Sequence, residues 1–196
     1  MDKKKLGNIL NLVIAAFAIL SAIFSLVNCI KTLTSLGDNG VKANIWLVIA
    51  AILMLALTVG LALFGVKLLL PFLKGEEDSN STTFILLTYF GYEVIINFLN
   101  MCFWTFKSTS CWLMVVFGLI GLVLIVVNMF GSVEDLIEKV LNICVLVAAF
   151  LCTIFGLVYG SGITIALYIF LMFMVLAMVL YVSTFMALDN QKQMNN

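Results

Sequence analysis

Residues 45–73 read IWLVIAAILMLALTVGLALFGVKLLLPFL, a run in which Lys67 is the only charged side chain. A transmembrane helix needs about 20 consecutive, mostly apolar residues to cross the hydrocarbon core of a bilayer. Backbone amides in hydrocarbon must be hydrogen-bonded within their own segment, so a run of this length forms a helix. The stretch therefore predicts a membrane-spanning helix.

Five further stretches have the same character. The six predicted helices cover about residues 6–30, 45–73, 83–106, 111–130, 133–159 and 163–188. Hydrophobic residues make up 64% of the chain and charged residues 10%, against roughly half and a quarter in soluble domains. No polar stretch is long enough to form a second domain. The sequence predicts an all-α, polytopic integral membrane protein in which residues 1–196 form one six-helix bundle in a lipid bilayer.

The lysines indicate how the bundle is oriented. Counting loops alternately, one face collects Lys3, Lys4, Lys5, Lys74, Lys139 and Lys192, and the other collects Lys31, Lys42 and Lys107. Lysine-rich loops stay in the cytoplasm, so both termini are expected there. The tryptophans border the opposite face, as an interfacial aromatic belt would: Trp46, Trp104 and Trp112. We expect an integral protein of a bacterial plasma membrane.

Two absences limit the chemistry of the chain. It contains no histidine, and every basic residue is a lysine. Histidine is the commonest general base and metal ligand, and no second carboxylate accompanies the single acid deep in a predicted span. The sequence therefore indicates a protein that is not an enzyme, with no catalytic residues, metal site or cofactor. The few clustered lysines exclude a nucleic-acid partner.

That single acid is Glu93, in the middle of the predicted helix 83–106. An ionisable group at this depth costs roughly 2.5–3.5 kcal/mol on insertion scales and usually faces the protein interior. Tyr89, Asn97 and Asn100 share its helical face. The stripe predicts a solute, cation or proton-binding site. Interhelical hydrogen bonds that fix the bundle are the structural alternative, and both interpretations stay open.

Lys67 is the candidate partner of Glu93, because the second and third helices are antiparallel neighbours joined by a short loop. The favoured alternative is that Lys67 extends to the nearer membrane surface. A second polar stripe, on the first helix, consists of Asn11, Ser21, Ser25 and Asn28. Helix-packing hydrogen bonds are the default interpretation of this stripe, and the lining of a path is the alternative.

Small residues at four-residue spacing predict where helices pack closely. The predicted helix-packing residues are Ala18, Ala22, Ala56, Gly60, Cys144, Ala148, Cys152 and Gly156. We expect them to face other helices of the fold, although a partner's helix would suit the same ridge. Cys102 and Cys111 flank a short turn, where a disulfide or two free thiols would fit, and free thiols are favoured.

Two functional classes remain. Six helices with both termini inside, together with Ala18-x-x-x-Ala22 in the first helix, resemble the substrate-binding components of energy-coupling-factor vitamin transporters. This resemblance implies a small-solute transporter or a membrane-embedded substrate-binding subunit, and the polar stripe around Glu93 is the candidate site. The alternative is a non-transporting protein, such as an assembly factor or an immunity protein. It would act through helix–helix contacts with a membrane-protein partner or within a homo-oligomer.

Overall fold

The computed structural model describes the backbone of residues 3–38, 42, 44–74, 81–103, 109–131, 135–160 and 162–194. Side chains are described for residues 6–38, 42, 44–70, 81–102, 111–131, 137–160 and 162–184. The described chain is helical, with no strand: α1 (Lys3–Asp38), α2 (Ile45–Lys74), α3 (Ser81–Phe103), α4 (Thr109–Phe130), α5 (Asp135–Tyr159) and α6 (Ile163–Met194). Each helix contains a segment long and apolar enough to cross a membrane. The predicted fold class, an all-α multi-pass membrane protein, is confirmed.

The helix ends follow local chemistry more than hydropathy. α2 begins after Asn44, whose side-chain Oδ1 accepts a 2.9 Å hydrogen bond from the Leu47 amide, as an N-cap residue does. α1 continues to Asp38, well beyond the predicted end at residue 30, and Leu36 in this extension is fully buried. Thr32 is buried there as well, so one face of the extension packs inside the bundle. The predicted start of the fifth helix, residue 133, lies outside the described residues.

The six helices form a closed ring in which each packs against its neighbours in sequence and α6 packs against α1. α3 also contacts α1 and α5, so it leans into the middle of the ring. Accordingly, 56% of an 18-residue membrane-spanning stretch of α3 is buried inside the protein, the largest share of the six. Any side chain on the inner face of α3 is therefore surrounded by other helices.

The bundle has two distinguishable ends. Because consecutive helices are antiparallel, the starts of α2 and α4 lie together, with Trp46 and Trp112 exposed there; we call this the tryptophan end. Lys31 in the last part of α1 lies beside Gly162, in the turn between α5 and α6, which places that turn at the same end. The opposite end, called the terminal end, holds the beginning of α1 and the final turns of α6.

Glycines let two aromatic rings of the interior approach a neighbouring helix. A methyl group at Gly121 of α4 would overlap the Phe90 ring of α3. A methyl group at Gly156 of α5 would likewise overlap the Tyr168 ring of α6. Small residues thus bring backbones and rings into contact, which is how helices pack where lipid removes the hydrophobic drive between them.

The predicted helix-packing residues divide into two groups. Those that lie buried are Ala18, Ala22, Ala148, Cys152 and Gly156, and Gly60 is half-buried against Thr88. Cys144 and Ala56 are exposed on the outside of the bundle, so the expectation that they face another helix of the fold was wrong. In α5 the cause is geometric, since each four-residue step turns about 40° past a full turn and the ridge drifts around the helix. All five cysteines are free thiols.

Candidate binding site around Glu93

Glu93 lies on the inner face of α3, and its exposed fraction is 0%. The local sequence explains this placement, because a carboxyl group at this depth has polar partners inside the bundle and none in lipid. The orientation predicted from the polar stripe of α3 is thus the one observed. What surrounds the carboxyl decides what it can do.

The two carboxyl oxygens of Glu93 have different environments. Oε2 accepts hydrogen bonds from the Tyr168 hydroxyl at 2.8 Å and from the Asn97 Nδ2 group at 3.0 Å. The same Nδ2 group also donates to the Glu93 backbone carbonyl at 2.8 Å, which fixes the Asn97 side chain. Oε1 is buried and has no hydrogen-bond partner among the described residues. One oxygen is therefore clamped and the other is an open acceptor.

The bond from Tyr168 connects two helices that lie opposite each other in the ring. The backbones of α3 and α6 do not approach each other in the described part of the chain. The phenol of Tyr168 crosses the interior, and Gly156 leaves room for its ring beside α5. Gly156 therefore acts on the site through Tyr168, by letting the ring lie where its hydroxyl reaches Glu93.

Tyr92 connects α3 to the polar stripe of α1. Its hydroxyl accepts a 3.2 Å hydrogen bond from Asn28 Nδ2 and donates a 3.1 Å bond to the Ser25 carbonyl. Ser21, one turn away on α1, is fully buried, and its hydroxyl has no partner among the described residues. The α1 stripe therefore faces the interior, and part of it serves helix packing.

Tyr89 extends the polar contacts to α5. Its hydroxyl donates to the Ala149 carbonyl at 3.4 Å and lies beside the Cys152 thiol. α3 thus touches α1, α5 and α6 through three neighbouring polar side chains. We call the enclosed set the central polar cluster; its members are Asn28, Tyr89, Tyr92, Glu93, Asn97 and Tyr168.

The structure brings together most of the site residues that the sequence suggested. Glu93, Asn97 and Tyr89 belong to the cluster, and Asn100 lies two turns from Glu93, its Oδ1 buried without a described partner. Lys67 is exposed on α2, and within the described residues the donors to the Glu93 carboxyl are Tyr168 and Asn97. The pairing of Lys67 with Glu93 is therefore not observed.

Tyr168 and Tyr92 were missed by sequence reasoning. Tyr168 lies near the start of α6, where a tyrosine is typical of an interfacial anchor. Tyr92 is the residue next to Glu93, but a step of one residue turns about 100° around a helix. No pattern within a single helix indicates that Tyr168 reaches Glu93 across the ring.

The charge of the site is uncompensated by protein groups in the described part of the chain. An ionised carboxylate taken out of water costs several kcal/mol unless a positive group or sufficient donors balance it. Glu93 must therefore hold a proton at Oε1 or meet a donor or a cation there. The described residues contain no group of three or more side chains suited to holding a metal ion.

A comparison of the chain with protein-family models, curated proteins and solved structures found no match.

Proposed function

We propose that this multi-pass membrane protein is a small-solute transporter or a membrane-embedded solute-binding subunit, and that Glu93 is its binding group. One observation carries the proposal, namely the open acceptor Oε1 on a fully buried carboxyl group. Buried polar atoms are nearly always hydrogen-bonded, so this atom calls for a partner that the described residues do not supply. Intramembrane acids are functional candidates for the same reason.

The geometry favours a particular kind of solute. Tyr168 and Asn97 hold Oε2 and thereby fix the orientation of the carboxyl group. When Glu93 is ionised, Oε1 is a negatively charged acceptor, which suits a solute with an N–H or O–H donor or with a positive charge. The nearby tyrosine rings add favourable surfaces for a cation. An anionic solute would meet no compensating cation among the described contacts of the cluster.

The orientation and setting of the protein are also proposals. The uneven distribution of lysines between the two faces supports cytoplasmic termini. The apolar composition supports a location in a membrane, which we propose is a bacterial plasma membrane. The lack of histidine and of a second deep carboxylate supports a role other than catalysis. We therefore expect the tryptophan end to face the outside of the cell.

Thermal unfolding of the purified protein in detergent tests the proposal. The panel comprises alkali-metal ions, ammonium, primary amines and neutral amides. A solute present at about 100 times its Kd stabilises the protein by about 2.7 kcal/mol, which raises the unfolding temperature measurably. The expected result is a shift with at least one donor-bearing or cationic solute in the wild-type protein.

Two variants make the result specific to the site. Glu93→Gln keeps the side-chain size and removes the charge, so it should fold and lose the solute-induced shift. Glu138→Gln changes an acid that is exposed on α5, so it should keep the shift. A wild-type protein that no solute of the panel stabilises, or a shift that persists in Glu93→Gln, would contradict the proposal.

The second candidate function is that of a non-transporting protein that acts through helix–helix contacts. It is favoured by the way much of the cluster satisfies itself, since Asn28, Tyr92 and the Ser25 carbonyl bond to one another. In that case the polar groups only fix the bundle. Unchanged binding of a co-purifying membrane partner by Glu93→Gln, with no solute effect, would support this second function.

A further inference from the structure

The described groups around Glu93 are polar but uncharged. Four titratable side chains lie close enough to the Glu93 carboxyl group to interact with it electrostatically: Tyr89 and Tyr92 of α3, Cys152 of α5 and Tyr168 of α6. Phenols and thiols release their protons only in alkaline solution, so all four are uncharged at neutral pH. The Asn97 amide, which donates to Oε2, has no charge either. Within the described residues, the immediate surroundings of Glu93 therefore supply no positive charge.

The other charged side chains of the described chain lie away from the centre of the bundle. They are Lys31, Asp38, Lys42, Lys67, Glu138 and Lys139. All are exposed except Lys139, which is half-buried. Lys139 lies in the first turns of α5, thirteen residues before Cys152 and so about 20 Å from it along the helix. No described lysine is therefore in a position to neutralise an ionised Glu93.

Protonation gives the site its lower free energy when no solute is bound. Oε2 accepts hydrogen bonds from Tyr168 and Asn97, which occupy the two acceptor positions of a carbonyl oxygen. Oε1 accepts none among the described residues. An ionised carboxylate without a counter-charge is far less stable in a protein interior than a neutral hydroxyl group without a partner. With a proton on Oε1, Glu93 needs no counter-charge and no additional space.

We infer that Glu93 carries a proton on Oε1 while the site holds no solute, and that a cationic solute binds in exchange for this proton. In the exchange the Oε1–H bond breaks, and its electron pair stays on the carboxylate. The proton passes to water, and the positive charge of the solute pairs with the carboxylate in its place. This inference rests on the function proposed above, and it names the proton as the ion that the solute displaces.

Charge balance narrows the class of solute. A protonated Glu93 is neutral, and a carboxylate paired with a monovalent cation is neutral as well, so the exchange buries no net charge. A divalent cation would bring a second positive charge, for which the described groups around Glu93 offer no partner. A neutral amide would leave the proton in place. The site therefore suits a monovalent cation, such as an alkali-metal ion or a protonated amine.

Infrared spectroscopy measures the proton on Glu93, because a carboxylic acid and a carboxylate absorb in separate bands. The wild-type protein, Glu93→Gln and Glu138→Gln are compared at neutral pH in a detergent without ester groups and a buffer free of alkali-metal ions and small amines. The wild type and Glu138→Gln, which changes an exposed acid, should show a carboxylic acid band that Glu93→Gln lacks. A wild-type spectrum without this band, or a band that persists in Glu93→Gln, would overturn the inference.

The same band measures the exchange, with Na⁺ and methylammonium as the probes. At least one of the two should abolish the carboxylic acid band of the wild type and release protons, which a soluble pH indicator detects in weakly buffered solution. Because the proton and the cation compete for Oε1, the affinity for the cation should fall about tenfold for each unit by which the pH is lowered while Glu93 is protonated. A band that neither probe diminishes, or an affinity that does not change with pH, would overturn the exchange.

Failure of this inference is distinguishable from failure of the proposed function. If a solute stabilises the wild type through Glu93 while the solute-free protein shows no carboxylic acid band, the proposed function stands and the inference is overturned. If the band is present but no solute of the panel stabilises the protein or diminishes the band, the proposed function and the exchange are both refuted, and Glu93 is only a protonated structural acid.

Discussion

α2 and α3 are neighbours with opposite relations to their surroundings. An 18-residue stretch of α2 is among the most apolar of the six helices and is 17% buried, whereas the corresponding stretch of α3 has the lowest mean hydropathy and is 56% buried. In a soluble protein the more apolar helix would be the inner one. Here lipid solvates apolar side chains as well as the protein interior does, so polarity decides which helix lies inside.

The same contrast operates between the two faces of α3. Phe90 is 0% exposed and packs against Gly121, whereas Phe98, two turns along, is 53% exposed on the outside of the bundle. Hydrophobicity alone does not distinguish the two phenylalanines. The polar side chains that share the Glu93 face determine which face of α3 points into the bundle. We therefore expect chemically identical substitutions on the two faces of α3 to have unequal effects on the free energy of unfolding.

The largest difference in the free energy of unfolding is expected between substitutions at Phe90 and Phe98. Phe90→Ala should lower the free energy of unfolding by about 3–5 kcal/mol, because it leaves a cavity against α4. Phe98→Ala should change it by less than about 0.5 kcal/mol, because lipid or detergent replaces the lost ring contacts. Reversible unfolding in mixed micelles measures both. Similar losses at the two positions would mean that the faces of α3 are assigned wrongly.

A smaller effect is expected where Gly156 makes room for Tyr168. Gly156→Leu should destabilise the bundle by roughly 1–3 kcal/mol, because the added side chain overlaps the phenol ring. The matched control is Val147→Leu, which enlarges a side chain that is 52% exposed on the same helix. The same unfolding experiment compares the two. If Gly156→Leu leaves the free energy of unfolding unchanged, α5 and α6 do not make this close contact.

The hydroxyl of Tyr92 should contribute less to the free energy of unfolding than the contact at Gly156 does. Tyr92→Phe removes the acceptor of Asn28 and the donor to the Ser25 carbonyl, at a cost of about 1–2 kcal/mol. Tyr159→Phe removes the hydroxyl of a tyrosine exposed near the end of α5 and should cost close to nothing. Equal values for the two substitutions would indicate that α1 and α3 are not joined by this hydrogen bond.

The sequence was sufficient for those features that depend on one helix at a time. The length and apolarity of the six runs predict the helices. The depth of Glu93 predicts that it faces inward. The contact with Tyr168 depends on the order of the helices around the ring. The sequence of a single helix carries no information about that order. The exposed positions of Cys144 and Ala56 depend equally on which face each neighbour covers, so spacing alone predicted them wrongly.

The contact between Glu93 and Tyr168 joins α3 to α6 across the ring, and a double-mutant cycle measures it most directly. The variants are Glu93→Leu, Tyr168→Phe and both together, with the free energy of unfolding measured in mixed micelles. Residues that bond to each other give an interaction free energy above the additive error of about 0.3–0.5 kcal/mol.

The control cycle pairs Glu93→Leu with Tyr159→Phe, whose side chain is exposed on α5, and it should be additive. For Glu93 and Tyr168 we expect an interaction of about 1 kcal/mol, as for a hydrogen bond between membrane-spanning helices. An additive result for that pair, indistinguishable from the control, would contradict the account, because Glu93 would then not be held by Tyr168 at all.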